Sequence, residues 1–206
     1  MESPRRERKK RQTRDALVHA ALELFIAKGY EQTAVREITD AVDVSERTFF
    51  RYFANKEDLA LSFAKDHTDA LMRELAARPL TEPPLVALRN AVHAATAGLT
   101  AEHGELTGDS IYLSIMKLIE GTPSLLAAHL RYMHDRDEEI ARVLAEREGV
   151  DPLADLRPRC VAAVFSGLFI SANREWRSAG GTVEAMLATF DACADQVAEA
   201  LAGHWT

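Results

Sequence analysis

Cysteine, glycine and proline are all scarce in this 206-residue chain. Each scarcity removes a class of protein. Cys160 and Cys193 stand far apart with no CxxC spacing, which argues against a disulfide framework or a zinc ribbon. Two reduced thiols on helices are the expectation. Ten glycines and seven prolines, beside abundant Ala, Leu, Glu and Arg, favour helix throughout. No alternating β pattern and no internal repeat is visible. No apolar run approaches the roughly 18 residues of a membrane span, and the basic N-terminus lacks the apolar stretch of a signal peptide. A soluble, cytoplasmic protein without a membrane partner is expected. The chain also lacks HExxH, GxSxG, a P-loop and GxGxxG. No ExxH occurs, which argues against a di-iron bundle. His129 and His134, five apart, fall on different helix faces. Neither catalysis nor a metal or other cofactor is expected.

What is present is an uneven charge. Residues 1–56 carry 12 Lys/Arg against 9 Asp/Glu, a net of +3, and residues 57–206 carry 13 against 23, a net of −10. Arg5, Arg6, Arg8, Lys9, Lys10, Arg11 and Arg14 cluster at the start against Glu2 and Glu7 alone. A cationic head on an acidic body points to a head that meets a polyanion. The basic arm has two readings, a disordered tail adding non-specific affinity or a segment entering a minor groove, and the first is preferred.

Helical periodicity organises the rest. Leu17, Ala20, Ala21, Leu24 and Phe25 form a stripe that stops at Gly29. Thr33 reads as the cap of a short helix carrying Val35, Ile38 and Val42. After a tight turn at Asp43-Val44, Ser45 caps a second short helix through Tyr52. Asn55 and Asp58 form a variant capping box for a helix running to about Arg78. Three helices in 55 residues, the last two joined by a short turn, make a helix-turn-helix. "RPLTEPP" (78–84) marks a boundary. Beyond it, helices are predicted over 84–100, 105–120, 123–148 (inward Leu126, Leu130, Met133, Ile140, Leu144), 155–178 and 182–202, with "DRDEE" (135–139) as a solvated face. The expectation is an all-α protein of about nine helices. It comprises a helix-turn-helix domain with the basic arm (1–55), a linking helix (56–78) and a further helical domain (79–206).

The segment "VSERTFFRYF" (44–53) carries the candidate chemistry. On a wheel of about 100° per residue with Ser45 at zero, Phe49 and Phe53 fall near 40° and 80°. Arg47, Thr48, Arg51 and Tyr52 fall opposite, and Glu46 and Phe50 lie on the flanks. The outer set suits DNA, because arginine forks onto guanine or grips phosphate and hydroxyls bond phosphate or base edges. A solvated cationic face is the plainer alternative.

"TAVREITDAVDVSERTFFRYFANKEDL" resembles the N-terminal signature of TetR-family transcriptional regulators over roughly residues 12–62. The resemblance implies that Ser45, Glu46, Arg47, Thr48, Phe50 and Tyr52 meet the major groove and its phosphates. It also implies that Lys56 touches phosphate and that Thr33 caps a helix abutting the DNA backbone. Two positions depart from the pattern. Asp43 replaces the usual turn glycine, and Phe50 the frequent tyrosine, so a contact at Phe50 is apolar (to a thymine methyl or a sugar) or the ring is core. Residues 115–181, from "LIEGTPSLL" to "ANREWRSAGG", more weakly resemble ligand domains of actinobacterial regulators of the mycofactocin-associated type. That resemblance implies a helical effector pocket and a C-terminal dimer bundle. Residue type nominates Tyr112, Met116, His129, Met133, Phe165, Phe169, Asn173 and Trp176 for the pocket, though each alone reads as core, and Trp176 equally as a dimer anchor. "CVAAVFSGLFISA" (160–172) is apolar on nearly every side, and with the last helix it fits a homodimer through a four-helix bundle.

The implied function is a dimeric DNA-binding regulator, a repressor released from a pseudo-palindromic duplex operator by a small-molecule effector with apolar character. The alternative is a helical small-molecule-binding protein or enzyme whose N-terminal domain docks a partner.

Overall fold

The computed structural model describes residues 4–103, 109–179 and 182–201, with side chains left undescribed at Pro4, Glu7, 99–103, 109–113, 177–179 and 198–201. Within these residues the chain is all helical. The order is α1 (Pro4–Lys28), α2 (Val35–Ala41), α3 (Glu46–Phe49), α4 (Lys56–Ala60), α5 (Ser62–Ala77), α6 (Pro84–His103), α7 (Asp109–Gly121), α8 (Pro123–Glu148), α9 (Arg157–Ala179) and α10 (Val183–Leu201). None of these helices is long and apolar enough to cross a membrane.

Local chemistry explains most boundaries. Gly29 (φ 94°) ends α1, its N–H donating to the Phe25 carbonyl in a left-handed cap. Gly149 (φ 64°) ends α8 in a Schellman arrangement, with Val150 N–H on the Ala145 carbonyl and Gly149 N–H on Glu146. Thr182 caps α10 by accepting from the Ala185 N–H at 3.2 Å.

Several expectations change. The basic arm is no tail, because α1 is continuous from Pro4. Arg, Glu, Lys and Gln are good helix formers and nothing between residues 4 and 28 breaks the pattern. Thr33 is not a cap. It is buried and its Oγ1 donates to the Gly29 carbonyl at 2.8 Å. Ala34 takes the cap position, and its N–H donates to Glu37 Oε2 at 2.8 Å. The helix expected from Asn55 to Arg78 divides at Leu61 into α4 and α5, giving ten helices among the described residues in place of nine. Leu130 is 60% exposed, while Leu125 and Ala128 take the inward face. The start expected at Glu105, residues 180–181 between the last two helices and the end expected at residue 202 lie outside the described residues.

Two compact units emerge, Met1–Lys65 with Ser110–Leu130, and Asp66–Asp109 with Arg131–Thr206. These differ from the segments delimited by motif. The first is built on Leu17, Phe25, Ile38, Phe49, Phe53, Leu59, Ile115, Ile119 and Leu125. The second is built on Leu71, Leu75, Leu88, Val92, Ile140, Leu144, Phe165, Leu168 and Phe190. In the second, Arg89 of α6 holds Asp191 and Asp195 of α10 at 2.7 and 2.8 Å. Arg147 donates to the carbonyls of Leu75, Arg78 and Pro79, supplying the cation that a helix C-terminus favours.

Candidate nucleic-acid interface

The interface begins with the turn between α2 and α3. Asp43 adopts φ 52°, the left-handed geometry that glycine usually supplies and that aspartate tolerates better than most side chains. This turn brings Ser45 to the start of α3, where its Oγ accepts from the Thr48 N–H at 3.2 Å and lies 3.0 Å from Thr48 Oγ1. The α-helix is shorter than expected, ending at Phe49. Arg51 and Tyr52 N–H groups donate to the Thr48 and Phe49 carbonyls, tightening the last turn.

The predicted division of aromatic rings is present. Phe49 and Phe53 are buried, with centroids 5.6 Å apart, and Arg14 of α1 lies over the Phe53 ring at 5.5 Å. These contacts anchor the segment in the first unit. Ser45, Glu46, Arg47, Phe50 and Arg51 are exposed, and Thr48 and Tyr52 half-buried. Arg51 stacks on Tyr52 at 4.9 Å and its Nη2 donates to the Tyr52 hydroxyl at 3.3 Å. The pair thus forms one amphipathic platform with its cation already oriented. Phe50 is 55% exposed, so it is not core.

Lys56 and Thr33 are both bonded to the segment between α1 and α2. The Lys56 ammonium donates to the carbonyls of Tyr30 (2.6 Å) and Thr33 (3.0 Å) and lies over the Tyr30 ring at 4.1 Å. Burial holds its pKa below the ordinary lysine value. Burial, with Glu57 and Glu31 nearby, pushes the Tyr30 hydroxyl up to about 12. Asn55 caps α4 by accepting from Asp58 N–H at 2.7 Å. Asp58 accepts from Ala54 N–H at 2.8 Å, one residue before the cap. Asp58 also pairs with Lys65 across the break between α4 and α5. Burial opposes ionisation of Asp58, but the Lys65 and Ala54 hydrogen bonds, with the charges of Lys65 and Arg14, hold its pKa below the ordinary value.

The nominated effector residues divide between the units. The Tyr112 side chain lies outside the described residues. Met116 packs in the first core, and His129 belongs to the same unit. In the second unit Met133 is half-buried and Trp176 is buried. Phe165 and Phe169 stack at 6.1 Å, each also meeting Phe190. Asn173 donates from Nδ2 to the Phe169 carbonyl at 2.8 Å, a bond within its own helix.

Around Phe169 lies a polar group that pattern reading missed. Arg136 is 7% exposed, which corrects the view of "DRDEE" as wholly solvated. It sits four residues before Ile140 and three after Met133, so the inward stripe of α8 passes through it. Its Nη2 donates to Ser166 Oγ at 2.7 Å and to Asp137 at 3.0 Å, and Ser166 donates to Asp137 at 2.5 Å. Arg136 and His67 each lie 6.0 Å from the Phe169 ring. His67 Nε2 and Thr96 Oγ1 are hydrogen-bonded at 3.3 Å. Burial, aided by Arg136, depresses the His67 pKa to about 4.

A capped reading helix behind a strained turn, with its cations outward, defines a helix-turn-helix DNA-binding protein. Comparison with known proteins refines the class. Residues 17–63 match the model of bacterial regulatory proteins of the tetR family, and residues 82–202 match the MftR C-terminal domain. The chain is 41% identical over 203 residues to the HTH-type transcriptional regulator TcmR of Streptomyces glaucescens, covering 97% of this chain and 89% of that one. It is 29% identical over 177 residues to the putative mycofactocin biosynthesis transcriptional regulator MftR of Mycobacterium tuberculosis, covering 83% and 84%. The structure of NalD, the secondary repressor of an efflux pump in Pseudomonas aeruginosa, has the same fold, with a TM-score of 0.50, 20% identity and coverage of 83% and 86%. The chain belongs to the TetR family of DNA-binding transcriptional regulators.

Proposed function

We propose that this regulator is a repressor that acts in the cytoplasm as a homodimer on a pseudo-palindromic operator and leaves it when a small molecule binds the second unit. In functional terms residues 1–55 form the DNA-binding domain, 56–78 the link and 79–206 the effector and dimer domain. The observation that carries the reading is the outward face of 45–52. Arg47, Arg51 and Ser45 are exposed and Thr48 and Tyr52 half-buried, while Phe49 and Phe53 are buried behind them. Ser45, Glu46, Arg47, Thr48, Phe50, Arg51 and Tyr52 touch DNA in this reading. Lys56 and Thr33 hold that surface in place, since the Lys56 ammonium and the Thr33 hydroxyl are already bonded to carbonyls.

Dimerisation is supported by α9. It buries Ala162, Phe165, Leu168 and Ala172 but leaves Val164 (36%) and Ile170 (53%) exposed, with Cys160, Ala163 and Gly167 beside them. A second copy would cover this stripe of small and apolar residues. Two reading helices then meet successive major grooves about 34 Å apart.

For the effector we favour the neighbourhood of Phe165 and Phe169 in the second unit, where apolar rings meet Arg136, neutral His67 and Thr96. Release requires only that the effector bind the DNA-competent state less well than the other. Catalysis has no part in this reading. A gel shift with the upstream intergenic duplex tests it, and a specific complex dissolved by a compound that also raises the melting temperature is expected. No sequence-specific shift at moderate salt would leave a ligand-binding protein in its place.

A further inference from the structure

Phe50 stands apart from the other rings of its segment. Phe49 and Phe53 are 0% and 3% exposed, whereas Phe50, between them in sequence, is 55% exposed. It is nevertheless held in place. Its ring meets Phe49 edge-on, with centroids 5.3 Å apart and planes at 82°, and Phe49 is itself locked in the core. Its backbone N–H donates to the Glu46 carbonyl at 2.9 Å, which fixes the direction in which the side chain leaves the helix. The exposed groups around it, Glu46, Arg47 and Arg51, are all charged.

A half-exposed phenyl ring on a surface that meets a polyanion gains nothing from phosphate. It has no donor, and a neutral ring near anionic oxygens is at best indifferent. In the major groove one base edge does offer an apolar partner, the C5-methyl of thymine. We propose that Phe50 reads thymine, placing its ring against the C5-methyl of one thymine in each operator half-site while Arg47 and Arg51 supply the polar contacts. The proposal rests on the DNA-binding reading of this surface and adds the identity of a base to it.

The test uses the full-length protein. Duplexes carrying a randomised half-site are selected by binding, and each thymine of the selected duplex is then replaced singly by deoxyuracil, which removes the methyl and leaves base pairing intact. Burying one methyl is worth a factor of about 3 to 5 in affinity. One thymine per half-site is therefore expected to lose that factor on replacement. In Phe50→Ala overall binding is expected to weaken and the thymine and uracil duplexes to bind equally. Phe50→Leu, which keeps an apolar group, is expected to retain part of the preference and serves if the alanine variant is poorly folded. If no thymine responds to demethylation, or if the preference survives undiminished in both variants, the proposal is overturned. A selection that enriches no sequence at all would instead overturn the DNA-binding reading on which it depends.

Discussion

Arg51 over Tyr52 in the first unit and Arg136 over Phe169 in the second are both arginine–aromatic pairs, and they live in opposite surroundings. Arg51 lies exposed over Tyr52 and, among the described residues, donates to the Tyr52 hydroxyl. Arg136 lies over Phe169 in the interior, at 7% exposure, and is bonded to Asp137 and Ser166. Water satisfies an exposed guanidinium at no cost, so Arg51 remains available to an incoming anion. A buried guanidinium must find partners within the protein, because desolvation of an unpaired charge is expensive. The same residue types are therefore open to recognition in one place, as proposed, and organise the interior in the other. The difference lies in how much water each retains.

The largest effect expected separates the rings beneath the first pair. Phe49→Ala should cost about 3–5 kcal/mol, as for other fully buried phenylalanines, while Phe50→Ala should cost less than about 1 kcal/mol. Urea unfolding followed by circular dichroism would show it, and equal losses would mean that the division of rings at 49 and 50 is wrong.

Next comes the partner of the buried cation. Asp137→Ala leaves Arg136 without its counter-charge and should destabilise the protein by roughly 2–3 kcal/mol, somewhat below the range of about 3–5 kcal/mol for a broken buried pair because Asp137 is itself partly exposed. Combining it with Arg136→Met should recover part of the loss. A double variant worse than the sum would refute the pairing.

His67 gives the contrast a pH dependence. Its pKa is about 4 in the folded protein against an ordinary 6.5, so between these values the unfolded chain binds more protons. The stability from keeping His67 neutral is complete above about pH 6.5 and declines as pH falls toward 4. The loss reaches at most about 3 kcal/mol, and less with partial solvent access. Comparing unfolding at pH 7 and pH 5 in the parent and in His67→Gln checks this, with the variant expected to show the flatter dependence.

The smallest effects on stability belong to the surface proposed to face DNA. Arg51→Ala should alter the melting temperature little, yet flatten the log–log salt dependence of operator binding by about 0.9 if Arg51 neutralises one phosphate. Lys56→Met should do the reverse. Loss of two charge-assisted bonds should cost about 1–2 kcal/mol after allowance for solvent and leave the salt slope unchanged. A slope that drops in Lys56→Met would return this lysine to the phosphate contacts.

The proposed DNA-facing surface was more legible in sequence than the surroundings of Phe169, and the reason is range. Ser45, Phe49 and Phe53 act through neighbours three or four residues away, so helical spacing alone separates inside from outside. The Asp43 turn and the Asn55 cap are equally local. Lys56 meets Tyr30 and Thr33, more than twenty residues away, and no spacing reveals such a contact. Arg136 was hidden by its setting, because a charged run reads as surface although the inward stripe of α8 crosses it. Thr33 was misjudged as a cap because threonine at a helix start usually serves there, whereas here its hydroxyl turns back to Gly29.

By itself the sequence determined the helices, the capped turn and the two faces of residues 45–53, since these follow from hydrogen bonds and periodicities within a few residues. Only the tertiary structure decided that Phe50 stands in solvent, that Lys56 is held by distant carbonyls, and that Arg136 and His67 gather around Phe169. Those outcomes depend on which helices pack together, and so on which groups lose their water.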